Sequence, residues 1–152
     1  MAVERERPYS AFNFRVVIEN GPDAASTRAA FQEVSGLGME ITVAEYRAGN
    51  AKDNAALKVT GTYKVPDVTL KRGVIGDLDT LYTWLNEVRL GSQTALRTVT
   101  VELQGEDHES TVQSWKLTNA RPIKYTGPTL SGTATDVAVE ELVLACERIE
   151  LE

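Results

Sequence analysis

PDVTLKRGVIGDLDTLYTWLNEVRLG, residues 66–91, holds two periodicities in succession. Val68, Leu70 and Arg72 alternate with Thr69 and Lys71, the two-residue repeat of a strand. The repeat then lengthens. Leu78, Leu81, Tyr82, Leu85 and Val88 fall at i, i+3, i+4, i+7 and i+10, one core-facing apolar stripe along a helix. Asp77 suits the N-cap and Asp79 the positive first turn. Arg89 suits the last turn, and Gly91 can take the left-handed stop position. The stretch predicts one amphipathic helix over about residues 77–90, lying on a protein that is otherwise β.

Outward from this element the chain reads as strands. Phe12, Phe14, Val16 and Ile18 alternate with Asn13, Arg15 and Glu19, and Asn20-Gly21-Pro22-Asp23 ends the run. Residues 24–30 show no period, and residues 31–34 are short and apolar enough for a strand. Ser35-Gly36-Leu37-Gly38 suggests a bend or a close backbone approach. Met39, Ile41 and Val43 then alternate to about Arg47, with Glu40 and Glu45 on opposite faces. Residues 48–61 are rich in small and polar side chains and read as one long loop, a feature that in compact domains is usually functional or disordered.

Beyond the helix, residues 98–103 and 112–117 form a hairpin about Gly105-Glu106-Asp107. Pro122 interrupts the next stretch, and Gly127-Pro128 breaks it. Residues 137–149 are the last strand. Its apolar phase slips between Val137 and Val139 on one face and Leu142, Leu144 and Cys146 on the other, so a bulge is expected near Glu140-Glu141, or burial of both faces. Six or seven strands without helical crossovers make the expected fold class mainly β: an antiparallel β-barrel or sandwich with one flanking α-helix.

The chain has 152 residues, enough for one domain with its own core, entered by a polar arm over residues 1–8. A net charge of −6, with scattered Lys and Arg, argues against a dedicated nucleic-acid binder. Lys71-Arg72 reads as a solvated strand end rather than a phosphate site. No apolar run approaches the length that spans a bilayer, and MAVERERPYS lacks the apolar core of a signal peptide.

Catalytic machinery is not apparent in the residues. His108 is the sole histidine and sits in the acidic turn GEDHES. Cys146, the sole cysteine, has apolar neighbours and reads as an inert thiol. Zinc spacing, the GxSxG elbow, Walker A and GxGxxG are all missing, so no catalytic, metal or cofactor residue is assigned. Trp84, near the edge of the helix stripe, and Trp115, in a strand, read as packing residues.

Four stretches carry a resemblance: PYSAFNFRVVIE, FQEVSGLGMEITVAEYRAG, VTLKRGVIGDLDTLYTWL, and the terminal NARPIKYTGPTLSGTATDVAVEELVLACERIEL. In order and spacing they resemble the tail tube proteins of contractile phages and of phage-tail-like contractile injection systems, from about Pro8 to Leu151. Type VI secretion tube proteins are similar in fold. The resemblance implies a structural subunit, not an enzyme, that forms homo-hexameric rings stacked into a hollow inner tube. Implied partners are a sheath protein, the baseplate or hub, and a tape-measure protein. The lumen would carry DNA or protein cargo without specific binding, and the isolated subunit would not insert into a membrane. Assembly would take place in the bacterial cytoplasm, in a phage tail or a released or anchored injection particle.

By the same resemblance the long loop reaches the adjacent ring, which gives Arg47, Lys52, Asp53 and Lys58 the role of inter-ring contacts. Strands over residues 39–47 and 65–72 are the expected lumen lining, and an acidic chain suits a wall along which a polyanion slides. Two other readings compete: a monomeric β-barrel that binds a small apolar ligand, and a hydrolase built on an unrecognised carboxylate pair.

Overall fold

The computed structural model describes residues 7–19, 31–74 and 80–152. Leu78, the predicted cap Asp77 and Asp79, most of the N-terminal arm, and residues 24–30 lie outside that set. Nine strands and one α-helix are present among the described residues. They are β1 (Phe14–Ile18), β2 (Glu33–Ser35), β3 (Glu40–Tyr46), β4 (Leu57–Lys64), β5 (Val68–Gly73), α1 (Thr80–Arg89), β6 (Arg97–Gln104), β7 (Thr111–Thr126), β8 (Val139–Ala145) and β9 (Arg148–Leu151). Seven strands form one antiparallel sheet in the order β1-β6-β7-β8-β5-β2, with β9 also on β7, while β3 and β4 pair only with each other.

Strand β7 runs through both halves of the sheet. Its first part pairs with β6 and β9, its second with β8. The bend between them is local chemistry. One extra residue of β7 opposes β6 where the register shifts between Arg97 and Val99, and Asn119 there takes a left-handed φ of 53°. Asparagine tolerates that region better than most side chains. The Glu147 carboxylate holds the corner, accepting from Asn119 Nδ2 at 2.8 Å and from the Arg121 guanidinium at 3.0 Å.

Two sequence expectations change here. Pro122 does not interrupt a strand; it is buried inside β7, beside a register shift against β8 that accommodates its missing N–H. The terminal stretch is two strands, bent at Cys146-Glu147 to follow the bend in β7.

The phase slip also has a different cause from a bulge at Glu140-Glu141. The β5–β8 register runs unbroken from Val68 opposite Leu144 to Gly73 opposite Val139. Val68, Leu70 and Arg72 of β5 face the interior together with Leu144, Leu142 and Glu140 of β8. The inward position that breaks the apolar pattern is a carboxylate, and directly across from it is Arg72. Arg72 is only 2% exposed, so the Lys71-Arg72 pair is not a solvated end. Its Nε donates to Glu140 Oε1 at 2.5 Å, Tyr125 Oη donates to Glu140 Oε2 at 2.7 Å, and the guanidinium lies 5.9 Å from the Phe31 ring centre. The hydrogen bond to Glu140 pushes the Tyr125 phenol above its usual range, and partial burial adds to this.

Helix α1 packs on β7. Leu81 is 2% exposed, whereas Tyr82 is 50% exposed, and Leu85 and Val88 are half-buried. The buried line runs through Leu81, Trp84 and Val88, so the stripe is rotated toward Trp84 and away from Tyr82. Trp84 is fixed on both sides. Its indole N–H donates to the Ala95 carbonyl at 2.6 Å, and the Arg97 guanidinium lies 5.1 Å over its ring while pairing with Glu87 at 3.1 Å. Tyr82 instead meets Tyr125 edge-on, 6.4 Å between centres. Leu81→Asp would bury a charge without a partner. The expected result is loss of the cooperative thermal transition in circular dichroism, and a soluble variant with an unshifted melt would show that Leu81 is not part of the core.

Candidate assembly interface

The most exposed regular element is the β3–β4 hairpin. Its sequence favours strands: Leu57 and Val59 alternate with Lys58 and Thr60, and β-formers return at Thr62 and Tyr63. The 48–61 loop of the sequence reading is therefore shorter, because residues 57–61 belong to β4. Small polar residues at 48–56 mask the onset of that strand, and the alternation fails at Gly61, where β4 carries an extra residue against β3 between Ile41 and Val43. A Cβ on Gly61 would sit 3.1 Å from the Thr42 carbonyl oxygen. Gly36 sets where the hairpin leaves the sheet. Its φ is +89°, and a Cβ there would lie 2.3 Å from the Asp67 carbonyl oxygen.

Every residue of β3 and β4 is exposed. Cross-strand partners divide the hairpin into two faces. One carries Ala44 with Val59 and Tyr46 with Leu57; the other carries Ile41 with Tyr63, then Val43 with Thr60. Each face carries apolar side chains beside one Glu–Lys pair. Tyr46 and Leu57 are 62% and 69% exposed. Glu40 lies opposite Lys64 and Glu45 opposite Lys58, on opposite faces. At the base, the Tyr63 hydroxyl reaches the Glu147 carbonyl at 3.5 Å.

The tip, residues 47–56, is tied by Arg47. Its guanidinium donates to the carbonyls of Asp53 at 3.1 Å and Ala51 at 3.0 Å, and Asp53 Oδ1 accepts from the Ala55 N–H at 3.0 Å. The structure thus brings Arg47, Lys52 and Asp53 together in the tip and places Lys58 apart from them, on β4. Within the tip Arg47 organises the backbone; Lys52 is exposed.

A second surface is the outer face of β2, β5 and β8. Alternation turns Glu33, Ser35, Thr69, Lys71, Glu141 and Val143 away from the core. Lys71 stands between Glu33, at 3.7 Å, and Glu141 across the β5–β8 register. Charges of both signs alternate across this face.

The third feature is a solvent-open cavity of about 300 Å³ between β1 and β2, two strands that each have one paired neighbour among the described residues. Phe14 of β1, Val34 of β2, Leu37, Leu103 of β6 and Trp115 of β7 give it apolar walls, and Gln32 and Glu33 are polar side chains at its edge. Ala11, also in its lining, is exposed.

Among the described residues, chemistry-bearing side chains do not converge. Among the described residues no group of three or more His, Cys, Asp or Glu is arranged to hold a metal ion, and no helix is long and apolar enough to cross a membrane. His108 is exposed at a tight turn with φ 61°. Beside it Asp107 accepts from the Ser110 and Glu109 N–H groups and the Ser110 hydroxyl, which holds its carboxyl below the usual range. Burial pushes the Cys146 thiol up, and the Asp67 charge adds to it, the opposite of what a nucleophile needs.

Comparison with known proteins bears on these surfaces. The family model described as T4-like virus tail tube protein gp19 matches residues 10–150. The anti-feeding prophage cap, a tube-terminating cap, superposes with a TM-score of 0.83 at 25% identity, covering 100% of this chain and 95% of that one. The sheath-tube complex of an extracellular contractile injection system, PVC, in its extended state gives 0.83 at 27% identity, covering 97% and 93%. Hcp1 from Flavobacterium johnsoniae, at 12% identity and a TM-score of 0.53 over 92% of this chain and 94% of that one, shares the fold. No curated protein sequence matches.

Proposed function

The chain belongs to the T4-like virus tail tube protein gp19 family, and on that premise we propose that it is the ring-forming subunit of the inner tube of a contractile phage tail or injection particle. Its task is mechanical: homo-hexameric rings stack into a conduit for DNA or protein, inside a sheath and on a baseplate. The observation that carries this is the β3–β4 hairpin, with exposed apolar side chains on both faces and exposed along its whole length. A two-stranded ribbon is marginal alone in water, and its outer edges have free hydrogen-bonding groups. Copies of the same chain, meeting through unlike surfaces, cover such a ribbon and close a ring.

The lumen side is the outer face of β2, β5 and β8. This keeps residues 65–72 as wall, through β5, and moves the hairpin from the wall to the contacts between subunits. Glu33 and Glu141 flank Lys71 on that wall, a net charge of −1 over the three, so an anionic cargo meets no deep binding minimum there. An enzymatic role draws no support from the family or from any convergence of side chains among the described residues. The small-ligand alternative is not favoured either, because the cavity opens at a strand edge rather than inside a closed barrel.

Negative-stain images and light scattering of the purified protein test the reading. Rings of six copies of the 16.6 kDa chain, alone or stacked, are expected. A monomer at every concentration would remove it. The tip loop, with Arg47, Lys52 and Asp53, and Lys58 next to it, are assigned to contacts between stacked rings. Deleting residues 51–56 is expected to leave rings and stop stacking; full-length tubes from that variant would take the role away from the tip.

A further inference from the structure

The apolar part of the contact between β5 and β8 does not define its own alignment. Val68 and Leu70 face Leu144 and Leu142 in the interior. Four aliphatic side chains of similar size pair about equally well in more than one way. A slip of one residue is excluded by the alternation itself, because it would turn Thr69 and Lys71, or Glu141, toward the core. A slip of two residues keeps every side chain on its own face. In one direction Leu70 would meet Leu144 and Val68 would meet Cys146, which already packs against the core. Aliphatic contact alone scarcely resists that movement.

Arg72 and Glu140 remove the ambiguity. They stand directly opposite each other, 2% and 5% exposed, and are joined at 2.5 Å. The same two-residue slip would set Arg72 against Leu142 and Glu140 against Val74. In the other direction Glu140 would face Leu70, and Arg72 would face Ala138. Either way both charges stay on the interior face but become diagonal neighbours, ~7–8 Å apart across the strands. Glu140 does not follow Arg72, because Tyr125 of β7 holds its second oxygen at 2.7 Å from the far side. The pair of Lys71 and Glu141 stands in the same register, but on the outer face of the subunit, where such pairs count for little.

We propose that the buried Arg72–Glu140 pair is a register lock, selecting one alignment of β5 on β8 from those the apolar side chains would accept. A buried ion pair adds little stability over a well-packed apolar replacement, so alignment is what this one supplies. Its effect extends beyond the two strands. Strand β5 carries β2 on its other edge, and the carbonyl of Asp67, just before β5, lies against Gly36, where the hairpin leaves the sheet. A two-residue slip would move this whole edge about 7 Å along β8. The pair thereby fixes the exit point of the β3–β4 hairpin without touching it.

Disulfide trapping in the full chain carrying Cys146→Ser reads the register. Thr69→Cys with Val143→Cys are direct partners and report the observed alignment. Lys71→Cys with Val143→Cys become direct partners only after the two-residue slip. Both pairs lie on the outer face, away from the lock. Each is placed in two hosts, one with Arg72 and Glu140 intact and one with Arg72→Met and Glu140→Leu, and the disulfide yield is measured by mass spectrometry. With the lock intact only the first pair should close. In the Arg72→Met, Glu140→Leu host the slipped pair should rise about tenfold, the change that a lost preference of ~1.4 kcal/mol gives, while the protein still melts cooperatively. Equal yields of the slipped pair in the two hosts would overturn the lock, as would its closure with the charges in place. A host that fails to fold without the charges would also overturn it, since the pair would then supply stability rather than alignment. Neither result bears on the tube reading, which ring formation tests separately.

Discussion

Val59→Asp is expected to abolish assembly while leaving the monomer folded. Val59 is about half exposed in the subunit, so a carboxylate there stays hydrated in the monomer and should shift its stability by no more than ~0.5 kcal/mol. Covered by a neighbouring copy, the same carboxylate loses its water without gaining a cation, at a cost of several kcal/mol. Since ~1.4 kcal/mol is tenfold in affinity, each subunit contact should weaken about a thousandfold. A ring multiplies that loss, because every contact around it carries the change. Sedimentation velocity against concentration, with a thermal melt as the control, reads both parts. Rings at wild-type concentration from a normally melting variant would show that this face is not covered.

Arg72→Leu is expected to destabilise the subunit itself by about 3–5 kcal/mol, the usual cost of leaving one partner of a buried ion pair behind. For a chain of this size that corresponds to a fall of roughly 6–20 °C in melting temperature. Glu140 would remain in the interior with only the Tyr125 hydroxyl on its carboxylate. The double change Arg72→Met with Glu140→Leu removes both charges and should recover most of the loss, since hydrophobic replacements of buried pairs are often neutral or better. Urea unfolding of the three proteins decides this. A single variant within ~1 kcal/mol of wild type would mean that water reaches Glu140.

These two positions also mark where the sequence could be read and where it could not. The helix was legible because its stripe repeats over several turns and ends at Arg89 and Gly91. Its phase was less legible: Trp84 outranks Tyr82 because Ala95 and Arg97, both distant in sequence, supply the partners of the indole. The alternation of β5 was visible, but Arg72 carries an inward position in it that only a carboxylate on β8 explains, and nothing local to either strand links the two. For the same reason the slip before Leu142 looked like a bulge. The second half of the hairpin was hidden by the bulge at Gly61, which breaks the two-residue repeat after four residues. The exposed hairpin left its trace as composition, with apolar residues in two strands that pair only with each other among the described residues. Which side each strand faces depends on pairing, and pairing is a long-range property.

Strand β7 has one more consequence. The two halves of the sheet are joined by a single uninterrupted backbone as well as by packing, with Glu147 bracing the joint through Asn119 and Arg121. Axial thrust on such a subunit travels along peptide bonds from one half to the other, and the halves cannot slide apart without tearing that backbone's ladder on both sides. Stiffness under firing is thereby built into the course of the polypeptide, with no need of an added clamp.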